Sequence, residues 1–400
     1  MSKVTGQEPD APSDLRPSDL PTADLVTPRH VAHFRGALVD WFEAVRRPLP
    51  WREEDARGRR DPYRVWLAEV MLQQTRVDQA LPYFARFLAA FPTVEALAAA
   101  PLDAVLKAWE GLGYYSRARN LHRAAQAVVE RHGGRIPDTE AAIRALPGVG
   151  DYTAAAVLSL AYGRPLAVLD GNVVRVLARV FAVEADARSA ATRRALQAVA
   201  DRLLDRTRPG AFNEAVMELG ATVCTPRSPA CARCPLRPVC AAYAAGEQER
   251  YPVVSKKKPV PHVTVAVGIV EDGAGRVLVQ KRPEDAMLGG LWEFPGGKRE
   301  GDEPLAETCR RELKEELGVE VEVLDEVARV DHAYSHFTVT LHAFRCRLSP
   351  TAPVVAEPTH HAGQPVRWVP LEELEELAFP RANRRLIEAL LDRQRRPTLF

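Results

Sequence analysis

Near residue 250 the chain changes its hydrophobic period, and one core cannot be built from both patterns. Upstream, leucine- and alanine-rich stretches of roughly 10–18 residues recur between Gly and Pro punctuation, at Gly58, Pro92, Pro101, Gly111, Gly113, Gly133, Gly134 and Gly163, a spacing that suits helices. Downstream, residues 262–270 and 276–281 alternate about a turn at 272–275. Residues 319–330, 336–347 and 364–369 also read as strands, and 303–317, 371–377 and 383–393 as helices. The expected fold is multidomain: an all-α domain over residues 30–245, then an α+β domain over 262–395. Residues 246–261 place Lys256, Lys257 and Lys258 among Pro252, Pro259 and Pro261 and read as a linker. Residues 1–29 carry five prolines and no aromatic side chain and read as a disordered tail.

Charge follows the same division. The whole chain carries 54 Lys and Arg against 53 Asp and Glu. Residues 261–400 hold 18 basic and 24 acidic side chains, a net of −6, and the preceding 260 hold 36 and 29, a net of +7. A basic front region is compatible with a polyanion. No charge-free apolar run approaches the ~18 residues of a membrane span. No basic flank precedes an apolar core at the N-terminus. A cytoplasmic monomer without a membrane partner is expected.

Four of the six cysteines form one compact set, Cys224, Cys231, Cys234 and Cys240. With no secretion signal, such clustering favours metal ligation over disulfides, and four thiolates suit zinc or an iron–sulfur cluster. Upstream, Leu146-Pro147-Gly148-Val149-Gly150 joins two predicted helices. Gly148 and Gly150 permit a tight turn and bare the amides that open the 151–162 helix, where a DNA phosphate can be held without base reading. Leu169-Asp170-Gly171-Asn172 follows about twenty residues later.

Together these motifs resemble the helix–hairpin–helix DNA glycosylases of the endonuclease III/adenine glycosylase superfamily, over residues 31–245. That resemblance, not the spacing, selects a [4Fe–4S] cluster for the four cysteines. Within the superfamily the chain is similar to the adenine DNA glycosylases (MutY family). The resemblance implies that Glu69, in the otherwise apolar stretch 65–72, protonates adenine, and that Asp170, ionised, steadies the sugar cation. Burial raises a carboxyl pKa, as a general acid near neutrality requires. Asn172 matches a polar helper of Asp170. Trp51, Arg52 and Glu218 match the adenine pocket, and Gln74 and Tyr114 match residues that fill the gap left by an extruded base. Bifunctional relatives place a lysine where this chain has Tyr152; without an amine there is no Schiff base, so a monofunctional glycosylase is expected. Val174 stands where some relatives carry a DNA-contacting lysine.

The C-terminal region satisfies the Nudix signature from Gly297 through Glu303, Arg311, Glu312, Glu315 and Glu316 to Gly318. Glu312, Glu315 and Glu316 share one helical face, and three carboxylates there suit Mg²⁺. Adenine glycosylases usually carry a degraded Nudix-like domain that recognises 8-oxoguanine; this one keeps its glutamates. It also resembles the 8-oxo-dGTP pyrophosphatases (MutT family) in residues 291–297 and in Asn383, a base-reading position. Tyr334-Ser335-His336 resembles the glycosylase loop that contacts 8-oxoguanine, which assigns Ser335 and His336 to that contact.

The expected function is excision of adenine mispaired with 8-oxoguanine or guanine in duplex DNA, with 8-oxo-dGTP hydrolysis as a second hypothesis. Two alternatives stand beside it: a bifunctional endonuclease III-like glycosylase/lyase, and a nucleotide-pool Nudix hydrolase whose helical domain only docks on DNA.

Overall fold

The structure is a computed structural model that describes residues 23–255, 259–334, 336–349 and 363–395. The helices in chain order begin with α1 (Pro28–Ala32), α2 (Leu38–Val45), α3 (Pro62–Leu72), α4 (Val77–Ala90), α5 (Val94–Ala99), α6 (Leu102–Trp109) and α7 (Ser116–His132). They continue with α8 (Glu140–Arg144), α9 (Asp151–Tyr162), α10 (Gly171–Val180), α11 (Ala190–Leu203), α12 (Pro209–Thr222) and α13 (Ala241–Ala244). α1 starts inside the segment expected as tail. Thr27 caps it, its Oγ1 accepting from the His30 amide at 3.4 Å, and Pro28 fills a first-turn position that needs no N–H. The rest of that tail up to residue 22 lies outside the described residues, as does 256–258 of the linker.

The chain divides into two compact units, Met1–Glu69 with Ile136–Lys257 and Val70–Arg135 with Lys258–Phe400. The all-α region is therefore shared between both. In the first unit, Phe34, Leu38, Phe42, Val176, Leu177, Leu196, Phe212 and Leu219 form one core. Each such side chain, fully buried, contributes about 1.5–3 kcal/mol. α9 stops at Gly163, whose φ of 64° is left-handed, and Asp170 caps α10 by accepting from the Val173 amide at 2.7 Å.

In the second unit α4–α7 pack around Phe84, Phe87 and Trp109, with Phe87 edge-on to Trp109 at 5.7 Å. Among the described residues this unit also holds a seven-stranded mixed sheet. Its strands are β1 (His262–Glu271), β2 (Arg276–Lys281), β3 (Trp292–Glu293), β4 (Gly296–Lys298), β5 (Val321–Ala333), β6 (Thr338–Leu348) and β7 (Val366–Pro370). The order is β3-β2-β1-β6-β5, with β4 on β1 and β7 on β2. β1 runs parallel to β6, from His262 opposite Thr338 to Glu271 opposite Arg347. α14 (Leu305–Leu317) covers one face and α15 (Arg381–Arg395) the other. The period of two explains the split: Ala266 and Val270 join the α14 core while Val267 and Ile269 join the α15 core. The turn Leu371–Glu376, expected as a helix, is a 3-10 helix. β3 and β4 are too short to show a period.

Candidate active site

The turn before α9 buries Leu146 and Val149 and leaves Gly148 and Gly150 exposed. Gly148 needs glycine, because its φ is 75°. No side chain caps α9, and a Cβ at Gly150 would meet nothing within 4 Å. The approach to the start of that helix is thus open at Gly150, as an anion site requires.

Glu69 is 4% exposed on α3. Its Oε2 accepts from Tyr152 Oη on α9 at 2.6 Å. Burial pushes its carboxyl up to about 7; the Tyr152 bond opposes this, and the negative charge of Asp170 adds to it. Tyr152 is itself held well above its ordinary range, first by burial and then by the charges of Glu69 and Asp170. The carboxyl of Asp170 is also raised by burial, against hydrogen bonds from the Val173 amide at 2.7 Å and from Asn172 Nδ2 at 2.8 Å. The structure thus brings together Glu69, Tyr152, Asp170 and Asn172.

Trp51 and Arg52 sit on the 3-10 turn Pro50–Arg52, with Trp51 buried. Arg52 donates to Glu214 at 2.7 Å and to Glu218 at 3.0 Å. Arg47 donates to both oxygens of Glu218, at 2.5 and 3.0 Å, and Arg60 pairs with Glu214 at 2.7 Å. Burial alone would raise the Glu218 carboxyl, but the Arg47 bond and the Arg52 charge hold it below the usual range. Arg47, Arg60 and Glu214 were not visible in the sequence. Their partners lie far away in the chain, Arg47 to Glu218 spanning 171 residues.

Asn172 Oδ1 accepts from Arg175 Nη2 at 2.8 Å, and Arg175 Nε donates to the Cys224 carbonyl at 2.7 Å. One helical turn on, Arg179 is 2% exposed and donates to Cys224 Sγ at 3.3 Å. It also donates to the carbonyls of Thr225 and Pro226, at 2.8 and 3.0 Å. Gly220 belongs to the same arrangement: a Cβ there would stand 2.6 Å from the Asn172 Cβ. Cys224, Cys231, Cys234 and Cys240 line one shared cavity. Burial and the neighbouring sulfurs push the Cys234 thiol up to about 12. Among the described residues, no three His, Cys, Asp or Glu side chains converge as the ligands of a single ion.

Gln74 and Tyr114 belong to the second unit, each in left-handed backbone, at φ 57° and 50°. Non-glycine residues hold that conformation at a cost of about 1–3 kcal/mol. Tyr334 stacks on Phe337 at 4.8 Å, and His336 is exposed. Ser335 lies outside the described residues. Asn383 is 7% exposed, its Oδ1 accepting from the Phe294 amide at 3.5 Å.

Gly297 faces Glu312 so closely that a Cβ would meet its carboxylate at 2.3 Å. The Arg311 fork donates to Glu303 at 2.9 Å, Glu312 at 3.1 Å and Glu315 at 2.9 Å. Glu316 accepts from Gln280 at 2.7 Å and from the Gly296 amide at 3.2 Å. Glu293, unnoticed in the sequence, pairs with Arg282, yet burial pushes its carboxyl up to about 7.

Two family models match: "HhH-GPD superfamily base excision DNA repair protein" over residues 67–201 and "NUDIX domain" over 266–389. The human adenine DNA glycosylase is 35% identical over 91% of this chain and 75% of its own length. That of Buchnera aphidicola subsp. Acyrthosiphon pisum is 30% identical over 89% of this chain and 97% of its own. The chain belongs to the adenine DNA glycosylase family. It is a DNA N-glycosylase of the helix–hairpin–helix superfamily with a C-terminal Nudix domain. Endonuclease III-like members of that superfamily typically carry a [4Fe–4S] cluster. Among solved structures, a thermostable thymine-DNA glycosylase is similar at 30% identity and TM-score 0.49, over 54% of this chain and 98% of its own. No helix among the described residues is long and apolar enough to cross a membrane.

Proposed function

We propose that this adenine DNA glycosylase hydrolyses the N-glycosidic bond of adenine opposite 8-oxoguanine or guanine, without strand cleavage. The observation that carries the reading is the buried Glu69, hydrogen-bonded by the phenol of Tyr152 and within the field of Asp170. With Oε2 occupied by Tyr152, the acid proton sits on Oε1 of Glu69. It passes to a ring nitrogen of the extruded adenine, the C1′–N bond breaks, and adenine leaves neutral. Asp170, capping α10, places its negative charge beside the sugar cation. Water adds its oxygen to C1′ and its proton returns to a carboxylate. Arg52 and Glu218 form the wall that recognises the base, and Gln74 and Tyr114 fill the vacated stack. Tyr152 offers no amine, so the product is an abasic site. Gly148 and Gly150 present amides to a phosphate of the duplex.

Four thiols around one cavity, with Arg179 beside Cys224 to offset thiolate charge, fit a [4Fe–4S] cluster. Bound there, it would be held by Cys224, Cys231, Cys234 and Cys240 and would tie together the chain from 224 to 240. Incubation with an A:8-oxoguanine duplex followed by alkali tests the main reading: cleavage at the adenine position is expected, and intact strands overturn it. Borohydride should trap no covalent complex with the native protein.

The Arg311 fork and the crowding of Gly297 on Glu312 favour a second reading, hydrolysis of 8-oxo-dGTP. Glu312, Glu315 and Glu316 would hold Mg²⁺, which supplies charge neutralisation at the pyrophosphate. Asn383 would meet the oxidised base, and Ser335 and His336 the same base in DNA. Pyrophosphate release from 8-oxo-dGTP no faster than in Glu315→Gln would reject it.

A further inference from the structure

Gln74 and Tyr114 lie forty residues apart, and one side chain reaches both of their turns. Arg117, 8% exposed near the start of α7, donates from Nη1 to the carbonyls of Val70 at 3.0 Å, Met71 at 2.8 Å and Gln73 at 2.6 Å. From Nη2 it donates to Thr75 Oγ1 at 3.3 Å and to the carbonyls of Leu112 at 3.5 Å and Gly113 at 3.1 Å. The first group closes the C-terminus of α3, where the last carbonyls have no helical donor. The second closes the turn that leads into α7. The guanidinium also lies over the rings of Trp109 and Tyr114, at 5.4 and 5.3 Å. Burial pushes its pKa down to about 10, so it remains a cation at neutral pH and its bonds are charge-assisted.

A lysine cannot do this, because a compact ammonium does not fork to two sets of acceptors. Left-handed backbone at a non-glycine residue persists only where its surroundings over-determine it. Here one buried cation over-determines two such residues, Gln74 and Tyr114.

We propose that Arg117 is a positioning residue that locks Gln74 and Tyr114 into one rigid pair, preset for entry into the duplex. This rests on the reading above that the two side chains fill the gap left by the extruded adenine. Without Arg117 the two turns loosen together, and extrusion, not bond cleavage, suffers.

Arg117→Lys in the full-length protein tests this. In the free protein, exchange of the amides at 75 and 117, which close the two turns on Leu72 and Tyr114, is expected to speed up together by about tenfold. With 2-aminopurine in place of adenine opposite 8-oxoguanine, the extrusion signal is expected to fall about tenfold. The pH dependence of the remaining excision stays unchanged, since Glu69 is untouched. In combination with Tyr114→Ala the substitution adds less than about twofold, because both act on one step. Thr75→Val, which removes one acceptor and leaves the guanidinium in place, gives the same changes on a smaller scale and serves if Arg117→Lys does not fold. Loosening of a single turn, native extrusion in Arg117→Lys, or effects that multiply in the double variant would each overturn the proposal. If Gln74→Ala and Tyr114→Ala also keep native extrusion, the gap-filling reading fails and the proposal falls with it. If those two lose extrusion and Arg117→Lys does not, the proposal falls alone.

Discussion

Two glutamates in different regions of this molecule, Glu69 and Glu303, have their carboxyls held in opposite ways. On α3 the partner that reaches Glu69 is a phenol, and burial carries its carboxyl up to about 7. Just ahead of the Nudix helix α14 the partner is a guanidinium fork, and Glu303 is held down at about 2, first by its bond to Arg311, whereas burial raises Glu312 and Glu316 on the helix itself. Glu218 shows that the contrast does not depend on the region. It shares the first unit with Glu69 and is as deeply buried, at 3% exposure, yet Arg47 and Arg52 keep it ionised. A bonded cation can hold a buried carboxyl down, as at Glu218, but burial can also win over it: Glu293 pairs with Arg282 and is still pushed up to about 7.

The largest expected effect tests the proton. Glu69→Gln should lower single-turnover adenine excision by about 1,000-fold while duplex binding is kept. Residual activity within tenfold of native would break the contrast at its source. In the native protein, excision should fall as pH rises through about 7, because the acid form is the active one. Tyr152→Phe removes the bond that favours the Glu69 anion, so the falling limb should move to higher pH.

The same carboxyl sets the next effect, on stability. Its folded pKa of about 7 exceeds the ordinary value of 4.5, so the native state holds the proton more tightly than the unfolded chain. The associated stability is complete below the unfolded value and is lost as pH rises through the folded one. Above pH 7 the loss amounts to about 3 kcal/mol. Glu69→Gln should therefore unfold at higher denaturant concentration than native protein at pH 8, with little difference at pH 4.5. An unchanged midpoint at pH 8 would mean that the carboxyl is not protonated by burial.

The burial of Glu69 was legible in the sequence because its neighbours from 65 to 72 are apolar, whereas the roles given to Glu69 and Asp170 came from the family resemblance of their motifs. The four cysteines and the change of period were equally plain. The arginines that decide each carboxyl's state were not. Arg52 reaches Glu214 across 162 residues and Arg117 reaches Gln73 across 44. A periodicity tells which face of a helix is buried and says nothing of what lies across from it. For the same reason residues 70–135 read as part of one helical domain, although they cluster with 258–400. Strand β3, with two residues, carries no period at all.

Gly220 offers a smaller test. A Cβ there meets the Asn172 Cβ at 2.6 Å and the Asn172 carbonyl oxygen at 3.0 Å, so Gly220→Ala must push α12 off α10. Overpacking of this kind costs about 1–3 kcal/mol. Because Asn172 bonds Asp170, excision should fall with stability, whereas turnover of 8-oxo-dGTP, if present, should not.

The smallest effect is expected on the outer face of the Nudix helix. Lys314 pairs with Glu320 at 3.0 Å, and the two side chains are 66% and 55% exposed. An ion pair in water gains little, because the dielectric screens it and two long side chains must be held still. Lys314→Ala should therefore change unfolding stability by no more than about 0.5 kcal/mol and leave excision within about twofold of native. Arg311, on the same helix, bonds three glutamates at once, and a loss as large as that of Arg311→Ala would show that net charge, not the guanidinium fork, sets the state of those acids.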